Sequence, residues 1–111
     1  MPSVRMPELD LRAVIHLLLH VAVPLAVARL CWPAQWKRAA LWLLAGWVID
    51  LDHLLADPVY APGRCSIGFH PLHTWPAILA YGALALPRRT RWLGTGLLIH
   101  IALDWIDCLL M

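Results

Sequence analysis

The sequence predicts an all-α protein, a small four-helix transmembrane bundle with its polar cluster in one membrane half. Three observations point there. Of 111 residues, 61% are hydrophobic and only 14% are charged, against roughly 25% charged in an ordinary soluble domain. A chain this short has the most surface per residue, so a soluble version would need polar side chains most. The charged residues are gathered into short segments with long uncharged runs between them. Pro33, Pro58 and Pro87 fall beyond the ends of those runs. The same composition excludes intrinsic disorder. A net charge of +2 is not the basic footprint of a nucleic-acid-binding module. Residues 1–111 are read as one membrane domain.

The first helix is expected over about residues 9–30, because Ala13 to Ala28 holds no Asp, Glu, Lys or Arg. At 1.5 Å per residue it reaches ~33 Å, enough for a hydrocarbon core of ~30 Å. Pro24 lies inside it as a potential kink, and Pro33 breaks the chain in a short turn. A cleaved signal peptide is the competing reading of this segment. Against it, Glu8 and Asp10 interrupt the basic region, and Arg29 spoils the site before Cys31. The second helix is expected over about 35–56, with an uncharged stretch from Ala39 to Ile49 and a stop at Asp57-Pro58. A loop follows to Phe69, with Pro62-Gly63 as its turn signal. The third helix is expected from His70 or His73 to Leu86, with Pro76 in its first turn and Pro87 ending it. It is short for a full span, so it either thins the bilayer or is partly re-entrant. The fourth is expected over about 90–109.

Basic residues set the orientation. Arg29, Lys37 and Arg38 mark the first turn, and Arg88, Arg89 and Arg91 mark the last. Both turns lie on one side of a four-helix hairpin pair, against Arg5, Arg12 and Arg64 on the other. The two turns are therefore expected in the cytoplasm, and both termini and the 57–69 loop outside. Trp32, Trp36 and Trp92 fall on the inner side, where an aromatic belt sits.

On this topology all six histidines and four of the six aspartates fall in the outer half. Every helix contributes: His16 and His20; Asp50, Asp52 and His53; His70 and His73; His100, Asp104 and Asp107. His16 and His20 share a face at i, i+4, as do His100 and Asp104, while Asp50 and His53 stand at i, i+3. Asp52 cannot share the face of Asp50 in a regular helix, unless the helix loosens there. A carboxylate facing lipid at mid-membrane costs ~2.5–3.5 kcal/mol, and four would cost on the order of 10. They must face the bundle interior, a wet cavity or the interface. No Lys or Arg falls inside the clusters, so a divalent metal is the economical counter-charge. Mixed imidazole and carboxylate ligands suit zinc, iron or manganese, as one ion or two. A metal-free polar network, structural or proton-conducting, is the alternative.

Ile49-Asp50 through Asp57-Pro58, then Arg64-Cys65-Ser66-Ile67-Gly68-Phe69-His70-Pro71-Leu72-His73, then His100 with Asp104, are the residues that carry a resemblance. Over about residues 13–110 the chain resembles a family of short bacterial membrane proteins of unknown function. That family is in turn similar to the inner-membrane metal-dependent hydrolases. Members carry a histidine on the first helix, an Asp-x-Asp-His motif, a histidine pair entering a later helix and a final His-x-x-x-Asp. The matching positions are His16 or His20; Asp50, Asp52 and His53; His70 and His73; and His100 with Asp104. The larger group has its paired histidines five apart, with an arginine after the first and a serine after the second. Here they are three apart with Pro71 between, which removes a basic residue that would meet a phosphate.

The resemblance implies a metal-dependent hydrolase of the membrane interface, in the bacterial inner membrane, multi-pass, with termini and site extracytoplasmic. His20, Asp50, His53, His70, His73, His100 and Asp104 form the first ligand set, and His16 and Asp107 come second. Asp52 is expected as a general base or as a carboxylate orienting a histidine. The metal is zinc first, with manganese and iron as alternatives. The substrate is lipid-borne or interfacial, a phosphoester or an amide. The competing function is a non-catalytic membrane protein whose cluster binds a structural metal or relays protons or ions. Lipid is the expected partner, nucleic acid is not, and a bundle this small has room to pair with itself. Topology also puts Cys65 and Cys108 on the outer side, either as a disulfide or as two unpaired thiols, with Cys31 alone on the inner side.

Overall fold

The computed structural model describes residues 6–57 and 63–110. Among these residues the chain is all-α, with four α-helices and no strand. They are α1 (Met6–Cys31), α2 (Trp36–Leu44), α3 (Trp75–Ala85) and α4 (Arg91–Leu110). Pro58 of the expected stop and Pro62 of the expected turn lie outside the described residues, while Gly63 stands in a turn. Leu11–Cys31 and Arg91–Leu110 are each long and apolar enough to cross a membrane. Large apolar side chains face outward all round the bundle, among them Leu18, Leu41, Leu55, Leu79 and Leu109.

α1 runs unbroken through Pro24. A proline has no N–H, so the carbonyl four residues back, that of His20, loses its helical partner. The indole N–H of Trp47 donates to that carbonyl instead, at 3.1 Å. The proline thus creates the acceptor that ties the next segment to α1.

The expected second helix is two windings in succession, α over Trp36–Leu44 and 3₁₀ over Ala45–Leu55. The change comes where this segment meets α4 backbone to backbone: a Cβ on Gly46 would stand 2.7 Å from the Gly96 carbonyl oxygen. Small residues allow that approach, as they do between membrane helices. At about 3.0 residues per turn, Asp50 and Asp52 lie about 120° apart around the axis, instead of about 160° on an α-helix.

The third helix starts later than expected. Pro71–His73 is a separate 3₁₀ turn, and extended Thr74 (φ −90°, ψ 164°) precedes α3. Pro76 explains the boundary, because it has no N–H to give the Leu72 carbonyl. That carbonyl accepts from the Tyr81 hydroxyl at 2.7 Å. His70 and His73 therefore stand before the helix. Gly68, at φ +81°, turns the loop so that its N–H donates to the His73 carbonyl at 3.0 Å.

The two basic turns meet at one end. Trp32 packs edge-on to Trp92 with centroids 6.0 Å apart, and the Arg29 guanidinium lies 4.7 Å from the Trp36 ring centroid. Ala28, Ala39, Ala40 and Leu43 form the core there, and Ile49, Tyr81, Leu97 and Ile101 continue it toward the other end. Beyond them lie the histidines and aspartates. Cys65 and Cys108 are disulfide-bonded, with Cα atoms 5.1 Å apart, and Cys31 is free and exposed.

Candidate metal centre

The crossing at Gly46 and Gly96 builds the site. Asp50 and His100 each follow a crossing glycine by four residues, and His100 Nε2 comes within 3.0 Å of Asp50 Oδ1. Asp104, one turn further along α4, brings Oδ2 within 3.3 Å of His100 Nε2. His73 completes the set, with Nε2 at 2.9 Å from Asp104 Oδ2 and 3.5 Å from Asp50 Oδ1. Two imidazoles and two carboxylates thus alternate in a ring. Its N···O separations run from 2.9 to 3.5 Å. Four ligands about 2.0–2.1 Å from one tetrahedral ion stand about 3.3 Å from each other. The residues fit such an ion.

A second observation bears on the fit. His73 Nε2 and Asp104 Oδ2 are buried and paired with each other at 2.9 Å, and neither makes a hydrogen bond to any further group. Buried polar atoms without partners are rare and costly. Such a pair at 2.9 Å is arranged as two atoms that share a third partner would be. Buried His100 Nδ1 is likewise without a hydrogen bond.

Asp52 stands behind His73. Its Oδ2 is 2.9 Å from His73 Nδ1 and accepts the Leu72 N–H at 2.8 Å. Its Oδ1 is 3.2 Å from His53 Nδ1. Both oxygens of this carboxylate are thus engaged, one by His53 and the other by His73 and the Leu72 N–H. Burial pushes the His73 imidazole down, but the carboxylates of Asp104, Asp50 and Asp52 outweigh it and hold it up to about 10. The pKa of His70 is lowered, first by burial and then by the neighbouring His53.

The expected single ligand set separates into three linked groups. Asp50, His73, His100 and Asp104 form one; His16, His20 and Asp104 the second; Asp52, His53 and His70 the third. His70 is stacked on His53 with ring centroids 3.8 Å apart. Asp107 belongs to none of them. It faces His16 Nδ1 at 3.8 Å and Arg12 Nε at 3.6 Å. A cleft of about 200 Å³ opens beside the groups, lined by His16, Leu17, His20, Trp47, Asp50 and His53. Trp47 and Tyr81 were not among the residues singled out from sequence. Their signal was a proline placed four residues after the carbonyl each one serves.

No curated protein and no solved structure matches the chain. One family model does, over residues 10–111, which is nearly the whole length. The chain therefore belongs to that family, described as a family of unknown function (DUF6122).

Proposed function

We propose that this is a multi-pass membrane protein in which Asp50, His73, His100 and Asp104 hold a divalent metal, and that it is a hydrolase acting on a lipid-borne or interfacial substrate. The observation that carries the reading is the ring of alternating nitrogens and oxygens, three of its members buried, beside an open cleft. The similarity of the Asp50-x-Asp52-His53 and His100…Asp104 motifs to inner-membrane metal-dependent hydrolases supports it, with zinc as the first metal and manganese or iron as alternatives. Two helices fit to cross a membrane, together with the outward apolar side chains, support the bilayer as surroundings. The basic turns favour a cytoplasmic position for that end, leaving the site and both termini extracytoplasmic in a bacterial inner membrane.

A divalent ion in such a site supplies an activated water near neutral pH and polarises the scissile bond. The chain's own residues divide the remaining work. His73, His100 and Asp104 are buried and fixed. The Asp50 side chain is 35% exposed and borders the cleft, so that corner is the one a substrate reaches. His53 also lines the cleft. Its Nδ1 lies 3.2 Å from both the Asp50 carbonyl oxygen and Asp52 Oδ1. Both are acceptors, so Nδ1 carries the proton and Nε2 is left as the base. A closed structural ion is the second reading, favoured by the count of four protein ligands.

Elemental mass spectrometry of detergent-purified protein, beside a His73→Ala/His100→Ala variant, tests the first half. Near-stoichiometric metal in the wild type and its loss in the variant are expected. Wild type that stays metal-free after reconstitution would defeat the reading. Phosphoester and amide lipid analogues then test the second half. His53→Gln should keep its metal and lose hydrolysis by about 10²-fold or more. Metal-loaded protein inert on both classes would leave the structural ion.

A further inference from the structure

The second His/Asp group is joined to the first through one residue. Asp104 turns Oδ2 to His73 and His100, and Oδ1 to the other side. There Oδ1 stands 3.2 Å from His20 Nε2 and 3.3 Å from His16 Nε2. His20 Nδ1 is 2.7 Å from the His16 carbonyl, which only accepts, so the ring proton sits on Nδ1. On the other side of the ring, Nε2 is within hydrogen-bond distance of Asp104 Oδ1, where a bound cation would take the place of a shared proton. His16 brings a second imidazole to the same oxygen, with ring centroids 4.1 Å apart. One shared cation satisfies both nitrogens and the oxygen together.

We propose that His16, His20 and Asp104 form a second divalent-cation site, so that the protein holds two ions bridged by the Asp104 carboxylate. The inference rests on the metal reading above and says where the second ion sits and what links it to the first. The sites differ in a way that suits a two-ion centre. The first has four protein ligands. The second has three and borders the cleft through His16 and His20. An ion with three protein ligands keeps a position for water or substrate. Paired ions in such centres stand about 3.5–4 Å apart and hold opposite sides of one reaction. Asp52 holds His73 Nδ1 at 2.9 Å, whereas the nearest carboxylate to His16 Nδ1, that of Asp107, is 3.8 Å away, so the second site is the more loosely held.

Manganese(II) is the probe, read by metal-to-protein ratio and by electron paramagnetic resonance on full-length protein in detergent. Two ions per chain are expected, with the multiline signal of an exchange-coupled pair. His16→Gln/His20→Gln should fall to one ion per chain with an isolated six-line signal, while keeping the wild-type elution profile. His20→Gln alone, the milder change, should weaken the second ion's binding by at least tenfold. Two uncoupled ions would overturn the bridge. One ion per chain, unchanged by the double substitution, would overturn the second site and leave the first standing. No ion at all would overturn both.

Discussion

His73 is the residue on which the first group depends. It is buried, and carboxylates face both ring nitrogens: Asp52 at Nδ1, and Asp104 and Asp50 at Nε2. Burial lowers its pKa, but the carboxylates of Asp104, Asp50 and Asp52 raise it to about 10. His73 Nε2 would be the nitrogen that holds the metal, and Asp52 would keep the Nδ1 proton and the ring's direction. Asp52 can do this because its Oδ2 is also held by the Leu72 N–H, while Tyr81 holds the carbonyl of the same residue. The prediction is that Asp52→Asn lowers metal affinity about 10–100-fold, the usual effect of losing a carboxylate behind a metal-bound histidine. Competition against a chromophoric chelator would measure it. Affinity within threefold of wild type would show that Asp52 does not orient the ligand.

At the scale of the elements, two prolines and two glycines do the positioning. Pro24 frees the His20 carbonyl for Trp47, and Pro76 frees the Leu72 carbonyl for Tyr81. In each case the missing hydrogen bond lies at or beside a proposed ligand, and an aromatic side chain from elsewhere fills it. Gly46 and Gly96 let the 3₁₀ segment and α4 touch, and so bring Asp50 to His100 one turn later. Gly96→Ala would press its methyl onto the Leu43 backbone, which cannot yield as a side-chain tip would. A destabilisation of about 1–3 kcal/mol is expected, together with loss of metal as Asp50 and His100 part. Thermal unfolding and metal content read the two effects, and a variant as stable and as loaded as wild type would contradict the crossing. This level also marks how far the sequence was legible. The helices could be read from the gaps between charges, and the convergence of His and Asp from their placement in one half. The division into groups could not, because it depends on 3₁₀ winding over 45–55, and a reading at 3.6 residues per turn has no means of rotating Asp52 behind His73. For the two carbonyl–aromatic bonds, each proline marks the freed carbonyl, but nothing in the sequence says that Trp47, 27 residues on, or Tyr81, nine residues on, would fill it.

Over the whole molecule, chemistry is segregated end from end. Arg29, Trp32, Trp36, Trp92 and the free Cys31 gather at one end. The His/Asp groups and the Cys65–Cys108 disulfide gather at the other. The disulfide spans a sequence separation of 43 residues, and the loop it ties down leads directly into His70 and His73. Closing a loop of that length removes about 4 kcal/mol of chain entropy from the unfolded state. A disulfide forms and persists in an oxidising compartment, whereas an exposed thiol beside basic turns belongs, by the positive-inside rule, to the reducing side. Both criteria favour the proposed orientation, and one labelling experiment tests both. In intact cells a membrane-impermeant maleimide should leave all three cysteines unmodified. Permeabilisation should expose Cys31 alone, and Cys65 and Cys108 should label only after reduction. Labelling of Cys31 in intact cells would invert the orientation, and labelling of Cys65 without reductant would remove the disulfide. Where the disulfide is present, Cys65→Ser should lower unfolding stability by about 2–4 kcal/mol. It should also speed metal loss, because the segment it releases is the one that carries His73 into the ring.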